Sequence, residues 1–175
     1  MQLLAGRFKG RRIRTSTKIP YRPTLSRIRK SIFDILSPFN YSDVLDLFSG
    51  TGILGFEAAS RGANTITFVE QNRKSIQLLQ SNADQFPDIN FIIKQEDVYT
   101  FLKNSQSYDL IIADPPYNHF NRNTGIDVDL FIDMILDKLN LQGRFIFECS
   151  KRIDLCYPVK TRVFGETKIS MGRKE

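Results

Sequence analysis

The clearest chemical signal in the sequence is a short run directly after an apolar segment at 110–113. It consists of Asp114, Pro115, Pro116 and Tyr117. Two prolines fix the backbone and remove two N–H donors, which leaves carbonyl oxygens to point into a site. Asp114 and the Pro115 carbonyl can then accept both hydrogens of a planar amine, while Tyr117 offers a ring face for a base. Held in this way, the amine directs its lone pair at an electrophile, so these four residues form the predicted catalytic group.

A glycine-rich stretch at 44–55 indicates a second functional element. A short apolar strand runs into a turn with Gly50 and Gly52, and Gly55 completes a GxGxxG pattern as a helix begins. Glu70 lies 20 residues after Gly50, at the end of the next predicted strand. A carboxylate there can accept hydrogen bonds from both hydroxyls of a ribose. These features suit any nucleoside cofactor, including a nicotinamide cofactor.

Asp46 distinguishes between the possible cofactors. It lies four residues before Gly50, where a turn that binds pyrophosphate would exclude a negative charge. A nearby carboxylate favours a cofactor with a cationic end, such as the ammonium and sulfonium of S-adenosylmethionine. After the third strand, Asp97 can accept a hydrogen bond from the adenine amine, and Val98 offers a backbone N–H to the ring. The predicted cofactor-binding residues are Asp46, Phe48, Ser49, Gly50, Gly52, Glu70, Gln71, Asp97, Val98 and Asp114.

The net charge of +6 is unevenly distributed along the chain. Residues 1–40 hold ten Lys or Arg against one acid, residues 41–150 hold eight against fifteen, and residues 151–175 hold seven against three. A basic segment of this kind is typical of proteins that bind a polyanion, most often a phosphate backbone. A solvated basic tail has the same composition and is the alternative interpretation. The residues predicted to contact phosphate are Arg7, Arg11, Arg12, Arg22, Arg27, Arg29 and Lys30.

Composition limits the class of protein. A chain of 175 residues, 41% of them hydrophobic, is expected to form one globular domain. It has no apolar stretch long enough for a transmembrane helix and no secretory signal, which favours the cytoplasm. Cys149, Cys156 and the single His119 are too few for a structural zinc site, and no GxSxG motif accompanies the histidine. We therefore expect no metal and no histidine-based hydrolase, and we predict a monomer.

Hydrophobic periodicity predicts an α/β fold. Residues 2–4 and 11–14 suggest a hairpin, and apolar residues recur at helical spacing from the suitable N-cap Thr24 to Leu36. From residue 41 onward, apolar strands alternate with helices. This predicts a Rossmann-like, mostly parallel seven-stranded sheet with helices on both faces and an antiparallel pair at its end. The predicted strands are 44–48, 65–69, 91–93, 110–113, 144–147, 160–164 and 167–170, and the helices are 53–60, 73–86, 98–103 and 127–139.

Taken together, these motifs resemble those of class I S-adenosylmethionine-dependent methyltransferases. More closely, the chain resembles the bacterial 16S rRNA guanine-N2 methyltransferases of the RsmD type. The similar segments cover nearly the whole chain, and it is their order that is specific. They are AGRFKGRRI, RPTLSRIRKSIFDIL, VLDLFSGTGILGFEAASRGA, FVE, YDLIIADPPY and FGETKIS.

The resemblance implies a substrate and a role for each candidate residue. The substrate would be a guanine of the small-subunit rRNA in a partly assembled 30S particle. Residues 1–40 would be an RNA-binding extension of a catalytic core at 41–175. Lys30 departs from the family, which often has an acid there, and makes the basic helix more basic. The implied contacts are the methionine end for Asp46, Gly50 and Gly52, the ribose for Glu70, the adenine for Asp97 and Val98, and the flipped guanine for Asp114 to Tyr117.

Other functions are open from the sequence alone. A DNA amino-methyltransferase also uses a DPPY motif, but the chain has no room for a separate DNA-recognition domain. A protein-amide methyltransferase would leave the basic terminus without a purpose, and its motif usually begins with Asn. A non-catalytic RNA-binding assembly factor would not need Asp114 and Glu70. A nicotinamide dehydrogenase rests on the GxGxxG pattern alone.

Overall fold

A computed structural model describes residues 1–16, 24–116, 118–120 and 125–175. Two residues with predicted roles, Arg22 and Tyr117, lie outside these ranges. The helices are α1 (Ser26–Ile35), α2 (Ile53–Ser60), α3 (Arg73–Ala83), α4 (Val98–Asn104) and α5 (Val128–Asp137). The strands are β1 (Asp43–Leu47), β2 (Thr65–Glu70), β3 (Asn90–Gln95), β4 (Tyr108–Ala113), β5 (Leu139–Ser150), β6 (Lys160–Phe164) and β7 (Thr167–Arg173).

The strands within these ranges form one seven-stranded sheet in the order β3-β2-β1-β4-β5-β7-β6. Strands β1 to β5 pair in parallel, whereas β7 is antiparallel to both β5 and β6. The chain moves outward from β1 to β3 and then returns to place β4 on the other side of β1. This reversal opens a crevice at the carboxyl ends of β1 and β4, where open α/β sheets bind ligands. The predicted Rossmann-like, mostly parallel sheet is confirmed.

Side chains alternate across the sheet, so each central strand contributes to two cores. Val44 of β1 packs with apolar residues of α1, α2 and α3 in the first core. Leu45 and Leu47 pack with α4 and α5 in the second core. Burial on both faces explains the nearly continuous apolar runs that predicted these strands. Asp46 falls on the same face as Val44, so its carboxyl group lies among the helices of the first core.

The N-terminal segment folds back on itself, but with less strand structure than predicted. An isolated bridge between Gln2 and Arg12 takes the place of the two predicted strands. The segment is held instead by α2, because the Glu57 carboxylate accepts hydrogen bonds from the backbone N–H groups of Leu4 (2.8 Å) and Ala5 (3.1 Å). Glu57 is fully buried, and backbone groups bound to its side chain are not available for a strand ladder.

The start of α1 differs from the prediction. The helix begins at Ser26 after Leu25, and no side chain caps its N-terminus. Thr24, the predicted N-cap, donates its hydroxyl hydrogen to Asp114 instead, with 2.8 Å between the two oxygens. The contact ties α1 to the end of β4 and could not be inferred from local sequence, because the two residues are far apart in the chain.

The boundary between α5 and β5 also differs from the prediction. The helix ends at Asp137, and Leu139 already belongs to β5, where it pairs with Tyr108 of β4. Helical periodicity therefore extended two residues beyond the helix. The early part of the strand was missed because Gly143 and its polar neighbours are typical of a loop. None of the helices in the described ranges has the length and apolar character needed to cross a bilayer.

Candidate active site

A cavity of about 470 Å³ lies at the carboxyl ends of β1, β2 and β4, where the chain reverses direction. Its wall contains every described residue that was predicted to be catalytic or to bind the cofactor, with the exception of Gly52. Its volume falls within the range of roughly 300–1,000 Å³ that is usual for small-molecule sites. The sheet topology thus brings together residues from four separate segments of the sequence.

The turn between β1 and α2 is built around glycines. Phe48, Gly50 and Gly52 all have positive φ angles, of 57°, 54° and 75°. A Cβ atom on Gly52 would lie 2.5 Å from Cδ2 of Leu79, so packing as well as backbone conformation requires glycine there. Gly52 therefore shapes the turn and is not among the residues that line the cavity, and its predicted contact with the cofactor stays a prediction.

Glu70 borders the cavity at the end of β2. Its carboxylate accepts hydrogen bonds from the backbone N–H groups of Gly50 (2.9 Å) and Asn72 (2.8 Å). These bonds hold its two oxygens beside the glycine turn. Each carboxylate oxygen has two lone pairs, so one remains on each oxygen for the hydroxyl groups of a ribose.

Asp46 lies deepest in the crevice, with 2% of its surface exposed. Its Oδ2 accepts a hydrogen bond from the backbone N–H of Gly55 at 2.9 Å, near the N-terminus of α2. Burial raises the pKa of Asp46 well above its ordinary value, the Gly55 hydrogen bond opposes this, and the negative charges of Asp114 and Glu70 add to it. A positive charge beside Asp46 would reverse this penalty. The electrostatics therefore fit a cationic ligand.

Asp97 and Val98 stand at the end of the cavity next to β3. Asp97 is the N-cap of α4, and it accepts hydrogen bonds from the backbone N–H of Thr100 (3.0 Å) and from Nε2 of Gln71 (2.9 Å). Val98 is buried as the first residue of the helix. Asp97 therefore both caps α4 and lines the cavity. The predicted contact of these residues with adenine stays a prediction.

Asp114 lies directly after β4, on the side of the cavity that faces α1. Its Oδ2 accepts the hydrogen bond from Thr24, which holds the carboxylate and the start of α1 in contact. Pro115 and Pro116 follow in the cavity wall, the first buried and the second exposed. The described part of the DPPY motif therefore faces the same space as Asp46 and Glu70.

Near Asp114, the cavity is bordered by His119, which sequence reasoning did not assign. Nε2 of His119 lies 2.8 Å from the hydroxyl oxygen of Tyr99, and the two rings are nearly parallel, with an interplanar angle of 11°. The ring of Phe48 meets His119 edge-on at 4.9 Å. Burial lowers the pKa of His119 below its ordinary value, and the charge of Asp97 only partly opposes this. The imidazole is part of an aromatic wall.

Glu148 is a second residue that the sequence did not assign. It belongs to β5, lines the same cavity as Asp114, and exposes 4% of its surface. A signal was present in the sequence, because Glu148 is a lone acid at the end of the apolar run Phe145 to Phe147. An acid in a strand buried on both faces needs a specific reason to be there.

The predicted phosphate contact of Arg29 is wrong. Arg29 exposes 2% of its surface, and its Nη2 donates to the backbone oxygen of Gln2 (3.1 Å) and to Oγ of Ser26 (3.2 Å). Burial lowers the pKa of its guanidinium group, and the charge of Glu57 partly restores it. Arg29 lies on the apolar face of α1, so it joins this helix to the N-terminal segment instead of facing solvent.

The other described residues predicted to contact phosphate are exposed. Arg7 pairs with Asp88 at 2.6 Å, but both side chains are more than 60% exposed, so the ion pair contributes at most about 1 kcal/mol. The guanidinium carbon of Arg11 lies 4.9 Å from the ring centroid of Phe86. Neither contact prevents binding to a phosphate. The exposed residues of this set are Arg7, Arg11, Arg12, Arg27 and Lys30.

Comparison with known proteins agrees with this architecture. The family described as Conserved hypothetical protein 95 matches residues 1–168. A relative from Haemophilus influenzae, the Ribosomal RNA small subunit methyltransferase D, is 35% identical over 132 residues. The match covers 69% of this chain and 65% of that protein, so it spans slightly less than two thirds of the relative's length.

Two solved structures share the fold. A hypothetical protein of Thermus thermophilus superposes with a TM-score of 0.82 at 24% identity, covering 99% of both chains. The Thermus thermophilus 16S rRNA N2 G1207 methyltransferase (RsmC), in complex with AdoMet and guanosine, superposes with a TM-score of 0.70 at 21% identity. That superposition covers 91% of this chain and 45% of RsmC.

The sheet order, the crevice and these superpositions define the fold as that of the class I methyltransferases. Within this class, the match over residues 1–168 and the identity with the Haemophilus influenzae protein show the family. The chain belongs to the Conserved hypothetical protein 95 family, the RsmD family of methyltransferases. The resemblance of the sequence motifs to the RsmD type is confirmed at the level of the family.

Proposed function

We propose that this protein transfers a methyl group from S-adenosylmethionine to the exocyclic N2 amine of a guanine in small-subunit rRNA. The observation that carries this proposal is the composition of the cavity. One space of about 470 Å³ joins a buried carboxylate on β1, a carboxylate at the end of β2, and the Asp-Pro-Pro run after β4. The relatives support it, since one is a small-subunit rRNA methyltransferase and another was solved with AdoMet and guanosine.

The residues of the cavity fit S-adenosylmethionine. Asp46 is a carboxylate whose pKa is raised by burial and by the negative charges of Asp114 and Glu70, and the cationic end of the cofactor would favour its charged form. Glu70 presents its oxygens at the position suited to a ribose, and Asp97 with Val98 borders the far end, where an adenine fits. When bound, S-adenosylmethionine supplies an electrophilic methyl group on its sulfonium.

Asp114 is the residue that would hold the acceptor amine. Its carboxylate and the Pro115 carbonyl accept the two hydrogens of the amine, which directs the nitrogen lone pair away from them. Thr24 fixes the carboxylate through its 2.8 Å hydrogen bond, so the geometry is set before a substrate binds. Asp114 is also the carboxylate placed to take the proton that the amine loses. The DPP segment therefore orients the nucleophile.

A guanine in folded RNA must leave its stack to enter such a cavity. Met1 of the N-terminal segment and Thr24, just before α1, line the cavity, and both segments carry exposed cations such as Arg12 and Arg27. Their proposed role is to hold the phosphates on either side of the extruded base. The proposed partner is the small-subunit rRNA, naked or in a partly assembled 30S particle.

The direct test is transfer of a labelled methyl group from S-adenosylmethionine to unmethylated small subunits, naked small-subunit rRNA and duplex DNA in parallel. We expect label in guanine of the rRNA with the wild-type protein, and none with Asp114→Ala. The control variant Asp137→Ala removes an exposed acid at the end of α5, outside the cavity wall and the proposed RNA-binding surface, and should keep activity. Label only in DNA would instead identify a DNA amino-methyltransferase. No label, together with no binding of S-adenosylmethionine, would identify a non-catalytic module.

The RNA-binding surface is tested by charge reversal. We expect Arg12→Glu combined with Arg27→Glu to weaken rRNA binding at least tenfold and to reduce the salt dependence of the affinity, because each contact to phosphate releases a counterion. The matched control reverses Lys94 and Lys103, two exposed lysines on the α4 side of the sheet. Equal losses from both double variants would mean that net charge, and not this surface, determines binding.

A further inference from the structure

The carboxylates of the cavity follow the strand order of the sheet. Along β2, β1, β4 and β5, the strand ends carry Glu70, Asp46, Asp114 and Glu148 in that spatial order. Each lies two residues beyond an apolar residue of the first core, so all four fall on the same face of the sheet. Those apolar residues are Phe68, Val44, Ile112 and Ile146.

The strand register gives the relative depth of the four groups. Asp46 is level with Phe68 and Ile112, so it lies one step below the other three carboxylates. Glu148 is the residue after Phe147, which pairs with Ala113, and Asp114 is the residue after Ala113. Extending this register by one residue places Asp114, directly after β4, beside Glu148 of β5, at the same height and on the same face.

The proposed function accounts for the first three carboxylates and leaves Glu148 without a role. A cofactor held by Glu70 and Asp46 occupies the side of the cavity over β2 and β1, and the acceptor amine is held at β4. The rest of the acceptor base must then lie on the far side of Asp114, over β5. Glu148 is the carboxylate that lines the cavity at that place.

We propose that Glu148 determines the base specificity of the site by binding the Watson–Crick edge of guanine. This inference rests on the proposed function. On that edge guanine presents the N1–H donor beside the N2 amine. Because Asp114 and the Pro115 carbonyl accept the two amine hydrogens, the Glu148 carboxylate accepts the hydrogen of N1–H. Adenine and cytosine present a donor beside an acceptor nitrogen, and a carboxylate oxygen repels that nitrogen's lone pair.

The strand holds Glu148 in a fixed position. Its backbone pairs with Ile169 of β7 on one side, and β4 lies on the other, so the residue belongs to the interior of the sheet. A recognition group on a central strand keeps its orientation better than one on a loop. A charge-assisted hydrogen bond to a base discriminates by roughly 10- to 150-fold, which sets the size of the expected effect.

The test compares guanine with 2-aminopurine, which keeps the N2 amine but has an acceptor at N1. Once the methylated guanine is located, small-subunit rRNA with either base at that position is assayed with wild type and Glu148→Gln. We expect wild type to prefer guanine at least tenfold in kcat/KM. The glutamine amide can donate to N1 of 2-aminopurine, so the preference should fall tenfold or more in Glu148→Gln, with the affinity for S-adenosylmethionine unchanged. Glu148→Asp keeps a carboxylate, so this variant should still prefer guanine to 2-aminopurine.

A binding measurement separates this inference from the proposed function. Guanosine and 2-aminopurine riboside are titrated into each protein in the presence of S-adenosylhomocysteine, whether or not any rRNA is methylated. Preference for guanosine in wild type that is lost in Glu148→Gln supports the inference even if transfer to rRNA fails. An unchanged preference in folded Glu148→Gln, as judged by its melting temperature, would overturn it. Methylation of adenine or cytosine by the wild type would overturn both.

Discussion

Substitution of Asp46 by asparagine should make the protein without cofactor more stable and the complex with cofactor weaker. Asparagine has nearly the same shape, and its carbonyl oxygen can still accept the 2.9 Å hydrogen bond from Gly55. What it removes is a buried negative charge that lies close to two others, those of Asp114 and Glu70. Without that charge, the folded protein is no longer destabilised by the burial of a carboxylate. The cationic end of the cofactor, however, loses its attraction to Asp46.

The sign of the effect on stability follows from the raised pKa of Asp46. The folded protein binds the carboxyl proton more tightly than the unfolded chain does, whose pKa is near 3.8. The stability that Asp46 contributes is therefore fully present below about pH 4 and is lost as the pH rises through the folded-state pKa. We expect Asp46→Asn to stabilise the free protein at pH 8 and to have little effect at pH 4.

The effect on the cofactor has the opposite sign. An attraction between unlike charges and a charge-assisted hydrogen bond are together worth roughly 2–3 kcal/mol in a partly buried site. The Kd for S-adenosylmethionine should therefore rise roughly 30- to 150-fold in Asp46→Asn at pH 8. Urea unfolding at pH 4 and pH 8 gives the stability, and isothermal titration calorimetry gives the Kd.

Asp109→Asn is the matched control, because it is the same substitution at a carboxyl group whose pKa is lowered instead of raised. Burial raises the pKa of Asp109, but hydrogen bonds from Asn140, Asp43 and Ser42 outweigh it, and the pKa is lowered overall. Its contribution to stability is present above about pH 4 and is lost as the pH falls through the folded-state pKa. Asp109→Asn should thus destabilise the protein at pH 8. Loss of stability in Asp46→Asn at pH 8, or an unchanged Kd for the cofactor, would refute the reasoning.

Three further predictions concern packing and positioning. Gly52→Ala introduces a Cβ atom into occupied space at a positive φ, and urea unfolding should show that the free energy of unfolding falls by about 2–4 kcal/mol. A decrease below about 0.5 kcal/mol would show that the turn adjusts easily. Glu57→Gln leaves the partly buried backbone N–H groups of Leu4 and Ala5 without a charged acceptor, and the free energy of unfolding should fall by about 1–3 kcal/mol in the same assay. Unchanged stability would count against the anchoring role of this carboxylate. Thr24→Val removes the hydrogen bond to Asp114, so kcat for rRNA methylation should fall about tenfold while the Kd for S-adenosylmethionine stays the same; a parallel loss of cofactor affinity would mean that Thr24 acts on the whole cavity.

The sequence by itself determined the sheet and most of the cavity. Strands buried on both faces need continuous apolar residues, so their positions could be identified from the chain alone. A turn with positive φ angles needs glycine, as at Gly50 and Gly52, and a polar residue at a strand end marks the edge where ligands bind. Asp46, Glu70, Asp97 and Asp114 could be found for this reason. These signals are local, because each depends on a few neighbouring residues.

Tertiary structure decided the roles that depend on contacts between distant segments. Thr24 has the sequence of an N-cap, but its hydroxyl group binds Asp114, since the fold places the start of α1 over the end of β4. Arg29 has the sequence of a surface arginine, but it faces the N-terminal segment on the buried side of the helix. Glu148 is adjacent to Asp114 only because β4 and β5 pair in that register. Local sequence sets backbone conformation and burial, whereas the partner of a polar side chain is set by which strands and helices become neighbours.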